Sequence, residues 1–323
     1  MPTVSVCIPA YNMARYLPFA IESVLNQEFR DFELVICDDA STDSTPDICR
    51  RYDDSRVRYL RTAGKSGQGG AFNRCLQEAR GEFVTILHHD DYFLPGFLQN
   101  RVARFRSDSR LDFVFGAIQM IDAQGQHSSI SRNWQEDRFF AVGELLEPML
   151  YACILCPPSL MIRKSCLDRV GNFRTDLTWG PDWEWDLRLT ERCAGYYCSA
   201  ALAAYRVHDQ SGTAEQLNAA KNGPQERRIL QETFARLASQ NPAIASLKRP
   251  VYKALARRHM FFAGEALAGN RKSVARSNLW YAFLADGTMA LRPTFWAFLL
   301  GATGPTCFFT VYRSLRFRRL SSQ

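Results

Sequence analysis

Short apolar runs alternate with stretches of helical periodicity over roughly the first third of the chain. The runs predicted as β-strands cover residues 3–8, 33–37, 56–60, 82–87 and 112–115. The stretches predicted as helices cover residues 14–26, 45–52, 71–79 and 95–106. Strand and helix in alternation are typical of a mainly parallel sheet flanked by helices. We therefore predict an α/β fold of Rossmann-like type.

Pairs of carboxylates follow two of these predicted strands. Asp38 and Asp39 follow the second strand, and Asp90 and Asp91 follow the fourth. Ligands of such sheets bind outside the carboxyl ends of the strands, so all four side chains are expected in one crevice. Each aspartate alone is equally typical of a helix cap or a turn. Two adjacent pairs at close range need a cation, and the pattern therefore predicts a metal site.

The last third of the chain has a different character. Strand signals cease after about residue 215, and 323 residues are enough for two domains with their own cores. We predict an α/β domain over residues 1–212 and a helical region over residues 213–323. Residues 293–312 carry no charge, and four arginines follow them at positions 313, 316, 318 and 319. This pattern favours helices lying at the cytoplasmic face of a membrane, with a core helix pair or a transmembrane span as alternatives.

Ten cysteines and a formal net charge of +7 bear on the compartment and the partners. The cysteines lack the spacing of a disulfide framework, and no signal peptide precedes the first strand, so we expect a cytoplasmic protein. A basic, apolar tail is typical of proteins that bind an anionic surface, either membrane or nucleic acid.

Several motifs in fixed order resemble family 2 glycosyltransferases, which are inverting enzymes with a GT-A fold. The motifs are VSVCIPAYN, SVLNQ, LVICDDASTDST, GQGGAFNRCL, ILHHDDYFLP, GPDWEWDLRL and YRVH, and they span residues 3–212. No single motif is decisive, but the ordered set is specific. The resemblance implies a sugar transferase of the bacterial surface-polysaccharide type.

The resemblance also implies roles for individual residues. The nucleotide would be bound by Pro9, Tyr11, Asp38, Asp39, Asn73 and Asp90. A Mg²⁺ or Mn²⁺ ion would be held by Asp91 and Asp90, together with the late residue His208. Asp182 would be the general base that removes the proton of the acceptor hydroxyl, with Glu184 as the alternative base. Asp182 as a helix cap, Tyr11 as an aromatic at a helix entry and His208 as a structural residue are the competing interpretations.

Three positions depart from the family pattern. His88 stands where the first Asp of the D-x-D-D motif is common, Phe72 stands where Arg often precedes Asn73, and Pro181 replaces a Glu. His88 and His89 are either metal ligands, which would favour a softer ion, or residues that pack and contact nucleotide.

The expected function is metal-dependent transfer of a sugar, with inversion, from a nucleotide-diphosphate donor of the UDP type. The acceptor would be a hydroxyl of a glycan or of a lipid-linked glycan, and nucleic acid is not an expected partner. A relative that binds nucleotide sugars without turnover and a nucleotidyltransferase are the alternatives.

Overall fold

The computed structural model describes residues 1–238 and 242–303 and divides the chain into two compact units. The first unit is Met1–His208, and the second begins at Asp209. This division lies close to residue 212, the boundary expected from the sequence.

Ten strands form one mixed sheet in the first unit. The strands are β1 (Val4–Ala10), β2 (Phe32–Asp38), β3 (Val57–Arg61), β4 (Phe83–Ile86), β5 (Tyr92–Phe93), β6 (Phe113–Ile121), β7 (His127–Ser131), β8 (Arg138–Phe140), β9 (Met161–Arg163) and β10 (Gly195–Arg206). The main path is β3-β2-β1-β4-β9-β6-β10-β5, with β7 on β6 and β8 on β10. The run β3-β2-β1-β4 is parallel, as is the pair β6 and β10, whereas β9 is a short antiparallel strand between them. The predicted α/β fold with a mainly parallel central sheet is confirmed.

Twelve helices are described. They are α1 (Leu17–Leu25), α2 (Thr45–Arg50), α3 (Gly67–Glu78), α4 (Phe97–Ser107), α5 (Leu146–Tyr151), α6 (Leu167–Val170), α7 (Pro181–Arg192), α8 (Gly212–Asn218), α9 (Asn222–Ala238), α10 (Pro242–Ala268), α11 (Lys272–Ala285) and α12 (Pro293–Thr303). Every residue of β1 and β2 is buried, which is why their sequences are nearly continuous apolar runs rather than alternating ones.

Helix α3 begins within the glycine-rich stretch at residues 64–70, earlier than the start at residue 71 that the sequence predicts. Helix α3 begins at Gly67, so three of the glycines lie inside it. A Cβ atom on Gly69 would stand 2.2 Å from the carbonyl oxygen of Arg174. Glycine is therefore required here for close backbone approach, and that packing outweighs its low helix propensity.

The second unit is helical in its described part, as the sequence predicts. Helices α10, α11 and α12 share an apolar cluster that includes Ala263, Leu279 and Phe295. Among the described residues, no helix combines the length and the hydropathy needed to span a bilayer. Helix α12 covers the beginning of the uncharged stretch at 293–312. The rest of that stretch and the four arginines lie outside the described residues.

Candidate functional site

The two aspartate pairs lie at the same edge of the sheet. Strand β1 is paired with β2 on one side and β4 on the other, both in parallel, so the chain leaves all three strands at one edge. Asp38 is the last residue of β2, and Asp90 and Asp91 follow β4. Pro9, near the end of β1, contacts the segment that follows β4, because its carbonyl oxygen lies 2.8 Å from Nδ1 of His89. The strand ends that carry the two aspartate pairs therefore lie at one edge of the sheet.

Asp38 is fully buried, and its carboxylate is well satisfied. It accepts hydrogen bonds from the backbone N–H of Ser41 (2.8 Å) and from the hydroxyl of Tyr59 (2.7 Å). Burial and this neighbouring carboxylate both raise the pKa of Tyr59. Asp38 thus holds the turn after β2 against β3.

Asp39 and Tyr11 both contact the loop that leads into α3. The carboxylate of Asp39 accepts from the backbone N–H and the hydroxyl of Ser66, both at 2.7 Å, and from the N–H of Gly67 at 2.9 Å. It therefore satisfies backbone donors at the start of α3 that have no partner within the helix. The ammonium of Lys65 lies 3.7 Å from the centroid of the Tyr11 ring, a cation–π contact. Two predicted nucleotide residues are thus organised around one loop.

Asn73 faces another segment. Its amide nitrogen donates to the carbonyl oxygen of Phe173 at 2.9 Å, and its amide oxygen accepts from the N–H of the same residue at 2.8 Å. This pair of bonds fastens α3 to the segment before α7, and for this reason we omit Asn73 from the nucleotide contacts proposed below.

Asp90 is paired with His208. Its Oδ2 atom lies 3.0 Å from Nε2 of His208, and its carbonyl oxygen accepts from Nε of Arg206 at 2.8 Å. Burial alone would raise the pKa of Asp90, but the hydrogen bond from His208 and the nearby His89 and His88 hold it below its ordinary value.

Asp91 is buried and only half satisfied. Its Oδ1 atom accepts from the backbone N–H of Arg206 at 2.8 Å, whereas its buried Oδ2 atom has no hydrogen-bond partner within the described part of the chain. Burial and the adjacent charge of Asp90 raise the pKa of Asp91. An unpaired carboxylate oxygen in a buried site is costly and is the kind of atom that a cation satisfies.

His88 completes a group with these two aspartates. Ligand atoms of His88, Asp90 and Asp91 all lie within 4.8 Å of one another, and Nδ1 of His88 is 3.8 Å from Oδ2 of Asp91. Burial lowers the pKa of His88, while the charges of Asp90 and Asp182 act in the opposite direction. Carboxylate oxygens and an imidazole nitrogen are a donor set that fits a divalent transition ion.

The first turn of α7 brings the two candidate bases to the site, but in different states. Helix α7 has Pro181 at its first position, and Oδ1 of Asp182 accepts from the N–H of Trp183 at 2.9 Å. Both carboxylate oxygens of Glu184 are instead engaged by Arg188, at 2.8 and 2.9 Å. Glu184 is therefore held in an ion pair, while Asp182 faces a cavity of about 30 Å³.

Two residues that the sequence analysis passed over belong to this region. Asp186 lines the same cavity one turn after Asp182, and burial, followed by the charge of Asp182, raises its pKa. Arg206 contacts both members of the Asp90–Asp91 pair through its side chain and its backbone. Both residues could have been found from the sequence, because Arg206 lies two residues before His208 in the YRVH motif and Asp186 lies one helical turn after Asp182.

Comparison with known sequences identifies the family of the chain. The profile described as glycosyl transferase family 2 matches residues 5–171. A chondroitin synthase of Escherichia coli is 37% identical over 136 residues, covering 42% of this chain and 20% of the synthase. A GalNAc(5)-diNAcBac-PP-undecaprenol beta-1,3-glucosyltransferase of Campylobacter jejuni is 42% identical over 131 residues, covering 40% of this chain and 41% of that enzyme. An uncharacterised glycosyltransferase of Rickettsia typhi is 28% identical over 223 residues, or 67% of this chain and 68% of the relative.

Solved structures agree on the fold. The S. aureus TarS fragment 1–349 in complex with UDP superposes with a TM-score of 0.55 at 20% identity, covering 90% of this chain and 91% of the fragment. At this identity the likeness concerns the fold, which is of the GT-A type. The family profile, in contrast, covers more than half of the sequence. The chain therefore belongs to glycosyl transferase family 2 and is a glycosyltransferase that acts on a nucleotide-sugar donor.

Proposed function

We propose that this enzyme transfers a sugar from a UDP-sugar, with inversion and with a divalent cation, to a hydroxyl of a glycan or of a lipid-linked glycan. The observation that carries the proposal is the group of His88, Asp90 and Asp91, in which the buried Oδ2 atom of Asp91 has no partner. The first unit, Met1–His208, holds all the residues involved.

Nucleotide recognition is assigned to residues beside the loop that leads into α3. Tyr11 offers a ring face beside Lys65, and Pro9 precedes it at the end of β1. Asp39 accepts three bonds of 2.9 Å or less from residues 66 and 67, and only one of them falls on its Oδ2 atom. A carboxylate oxygen has room for a further donor, so Oδ2 can accept from a pyrimidine N–H. Asp38 holds the turn after β2 against β3 through Ser41 and Tyr59.

The cation is assigned to Asp91 and Asp90, with His208 oriented on Asp90 at 3.0 Å. When bound, the ion would neutralise the charge that builds on the leaving diphosphate. UDP is favoured as the leaving group because S. aureus TarS, which shares the fold, has been solved with UDP and with UDP-GlcNAc.

Asp182 is assigned as the general base. Its Oδ1 atom is fixed by the N–H of Trp183. Asp182 lines the same cavity as Phe72, and Phe72 stacks on His88 of the metal group. The acceptor oxygen attacks the anomeric carbon as its proton passes to Asp182, and the bond to the diphosphate oxygen breaks. Inversion follows from this direct displacement.

The test is release of nucleoside diphosphate from a panel of donors, with Mn²⁺ and with EDTA, in the presence of lipid. Asp182→Asn should lower kcat by about 10²–10⁴-fold, because a general base typically contributes that much. Asp186→Asn is the matched control. Since burial favours the neutral form of Asp186, the amide should keep kcat within about threefold. Full turnover by Asp182→Asn would refute the assignment of the base.

A lipid-linked acceptor is supported by the charge distribution. Residues 1–208 contain 23 basic and 27 acidic residues, whereas residues 209–303 contain 13 basic and 6 acidic ones. The second unit also exposes Trp280, Phe283, Trp296 and Leu300. Basic charge with exposed aromatic side chains suits an anionic bilayer surface, so we assign the inner face of the plasma membrane to this unit. The C. jejuni relative is named for an undecaprenol-diphosphate acceptor.

A further inference from the structure

We propose that His88 is itself a ligand of the cation, so that the site binds nitrogen-accepting ions such as Mn²⁺ in preference to Mg²⁺. The inference rests on the proposed metal-dependent function and adds a ligand and an ion preference to it.

The spacing of the three side chains suits an ion. An ion with nitrogen and oxygen ligands at about 2.1 Å keeps those ligand atoms about 3.0–4.2 Å apart, depending on the angle between them. Nδ1 of His88 and Oδ2 of Asp91 are 3.8 Å apart, too far for a hydrogen bond and within that span. All ligand atoms of the group lie within 4.8 Å of one another, so a contraction of roughly half an ångström or less brings the set within that span.

Hydrogen bonding supports the same assignment. Buried polar atoms are paired in the great majority of native structures. Among the described residues, Oδ2 of Asp91 is buried without a hydrogen-bond partner, and the nitrogen of His88 nearest to it, at 3.8 Å, is Nδ1. His208 binds Asp90 through its Nε2 atom at 3.0 Å, and its buried Nδ1 atom has no partner among the described residues. The ligand atoms that lie together are those of His88, Asp90 and Asp91, so His88 rather than His208 is the histidine placed to bind the ion.

The ring of His88 is also held in place. It stacks on Phe72 with the planes inclined by 12° and the centroids 5.7 Å apart. Two of the three positions that depart from the family pattern, Phe72 and His88, thus meet in one contact. This aromatic stack stands where the family pattern commonly has an Asp and an Arg. Because an imidazole ligand is neutral, the carboxylates near the cation are those of Asp90 and Asp91. Mg²⁺ strongly prefers oxygen ligands and retained water, so an imidazole nitrogen is a poorer ligand for Mg²⁺ than for first-row transition ions such as Mn²⁺, Co²⁺ and Zn²⁺.

Electron paramagnetic resonance with Mn²⁺ alone, on the chelator-treated full chain, tests the ligand directly. Pulsed spectra of the wild type should show coupling to a nitrogen nucleus. His88→Asp should keep Mn²⁺ bound but lose this coupling, and the ratio of Mg²⁺ to Mn²⁺ affinity should rise at least about tenfold. His88→Asn should lose the coupling and about tenfold or more in Mn²⁺ affinity, as loss of a ligand implies.

Two further variants separate His88 from its neighbours. His89→Asn, at a histidine that contacts Pro9, and His208→Asn should both retain the nitrogen coupling. Coupling that persists in His88→Asp, or that disappears only in His208→Asn, would overturn the inference. Thermal melts of each variant establish that it is folded. If the wild type binds Mn²⁺ without nitrogen coupling, the inference fails while the metal-dependent function stands; if it turns over donor in EDTA, the metal dependence itself fails.

Discussion

Replacing the two adjacent aspartates by asparagine should change the stability of the metal-free protein in opposite directions. In Asp91→Asn the amide oxygen still accepts from the N–H of Arg206, which lies 2.8 Å from Oδ1 in the wild type. The other oxygen, which has no partner, becomes an uncharged NH₂ group, and repulsion from Asp90 disappears. In Asp90→Asn, the hydrogen bond to His208 loses its charge.

The expected sizes follow from these contacts. An unpaired buried polar group costs about 1–3 kcal/mol and an unpaired buried charge costs more, so loss of the charge in Asp91→Asn should add roughly 1–2 kcal/mol to the free energy of unfolding. For a unit of about 200 residues this raises Tm by about 2–8 °C. Hydrogen bonds to charged groups contribute about 1.5–3 kcal/mol, and Asp90→Asn should lower Tm by roughly 3–12 °C.

Thermal unfolding in EDTA and in Mn²⁺ is the assay. At a free Mn²⁺ concentration about 100 times its Kd, the wild type should gain about 2.7 kcal/mol, and Asp91→Asn should gain far less. Asp47→Asn is the control, since Asp47 is exposed and its described ion pair is with Arg50; it should change stability by less than about 0.5 kcal/mol. Our account of the metal site is refuted if Asp91→Asn is less stable than the wild type in EDTA, or if Mn²⁺ stabilises both equally.

Three further predictions concern the fold and the membrane. Arg58→Leu should cost about 3–5 kcal/mol at pH 7 in urea unfolding, because Glu33 is left buried without the partner at 2.9 Å. The pKa of Glu33 is held below its ordinary value, so this loss should shrink as the pH falls through that lowered pKa, and a constant difference would contradict the reasoning. Gly69→Ala should cost about 1–3 kcal/mol, since its Cβ would meet the Arg174 carbonyl, whereas Gly64→Ala, with open space, should not. Replacing Trp280 and Trp296 by serine should reduce sedimentation with phosphatidylglycerol vesicles at least about fivefold, and binding to phosphatidylcholine should be weak throughout; equal binding by wild type and variant would count against the proposed surface.

The parallel part of the fold was predictable because its signals are local. Continuous apolar runs define β1, β2 and β4, and the rule that parallel strands end at one edge brings Asp38 and Asp90 together. The insertion of β9 between β4 and β6 was not predictable in this way. It pairs residues about 80 positions apart through a strand of three residues, for which periodicity carries no information.

Side-chain contacts within one helix could be predicted from the sequence, whereas contacts between distant segments could not. Glu184 and Arg188 are four residues apart on α7, so their ion pair was available from helical spacing. The partner of Asn73 is Phe173, 100 residues away, and no local pattern indicates it. Phe72 and His88 were recognised singly as departures from a family pattern, but their stacking depends on the placement of α3 beside β4.

The four aspartates at the sheet edge differ in what their environment leaves unmet. Asp38 and Asp39 are surrounded by donors from the turns that they stabilise, so their charges are compensated within the protein. Asp91 keeps an oxygen that no donor in the described structure reaches, whereas Asp90 is compensated by its hydrogen bond with His208 and by the nearby His89 and His88. Folding alone would favour a neutral residue at position 91, because an uncharged side chain avoids that penalty. Under the proposed cation site, that cost is recovered when the ion binds, and position 91, rather than 38 or 39, is where we propose that stability has been given up for chemistry.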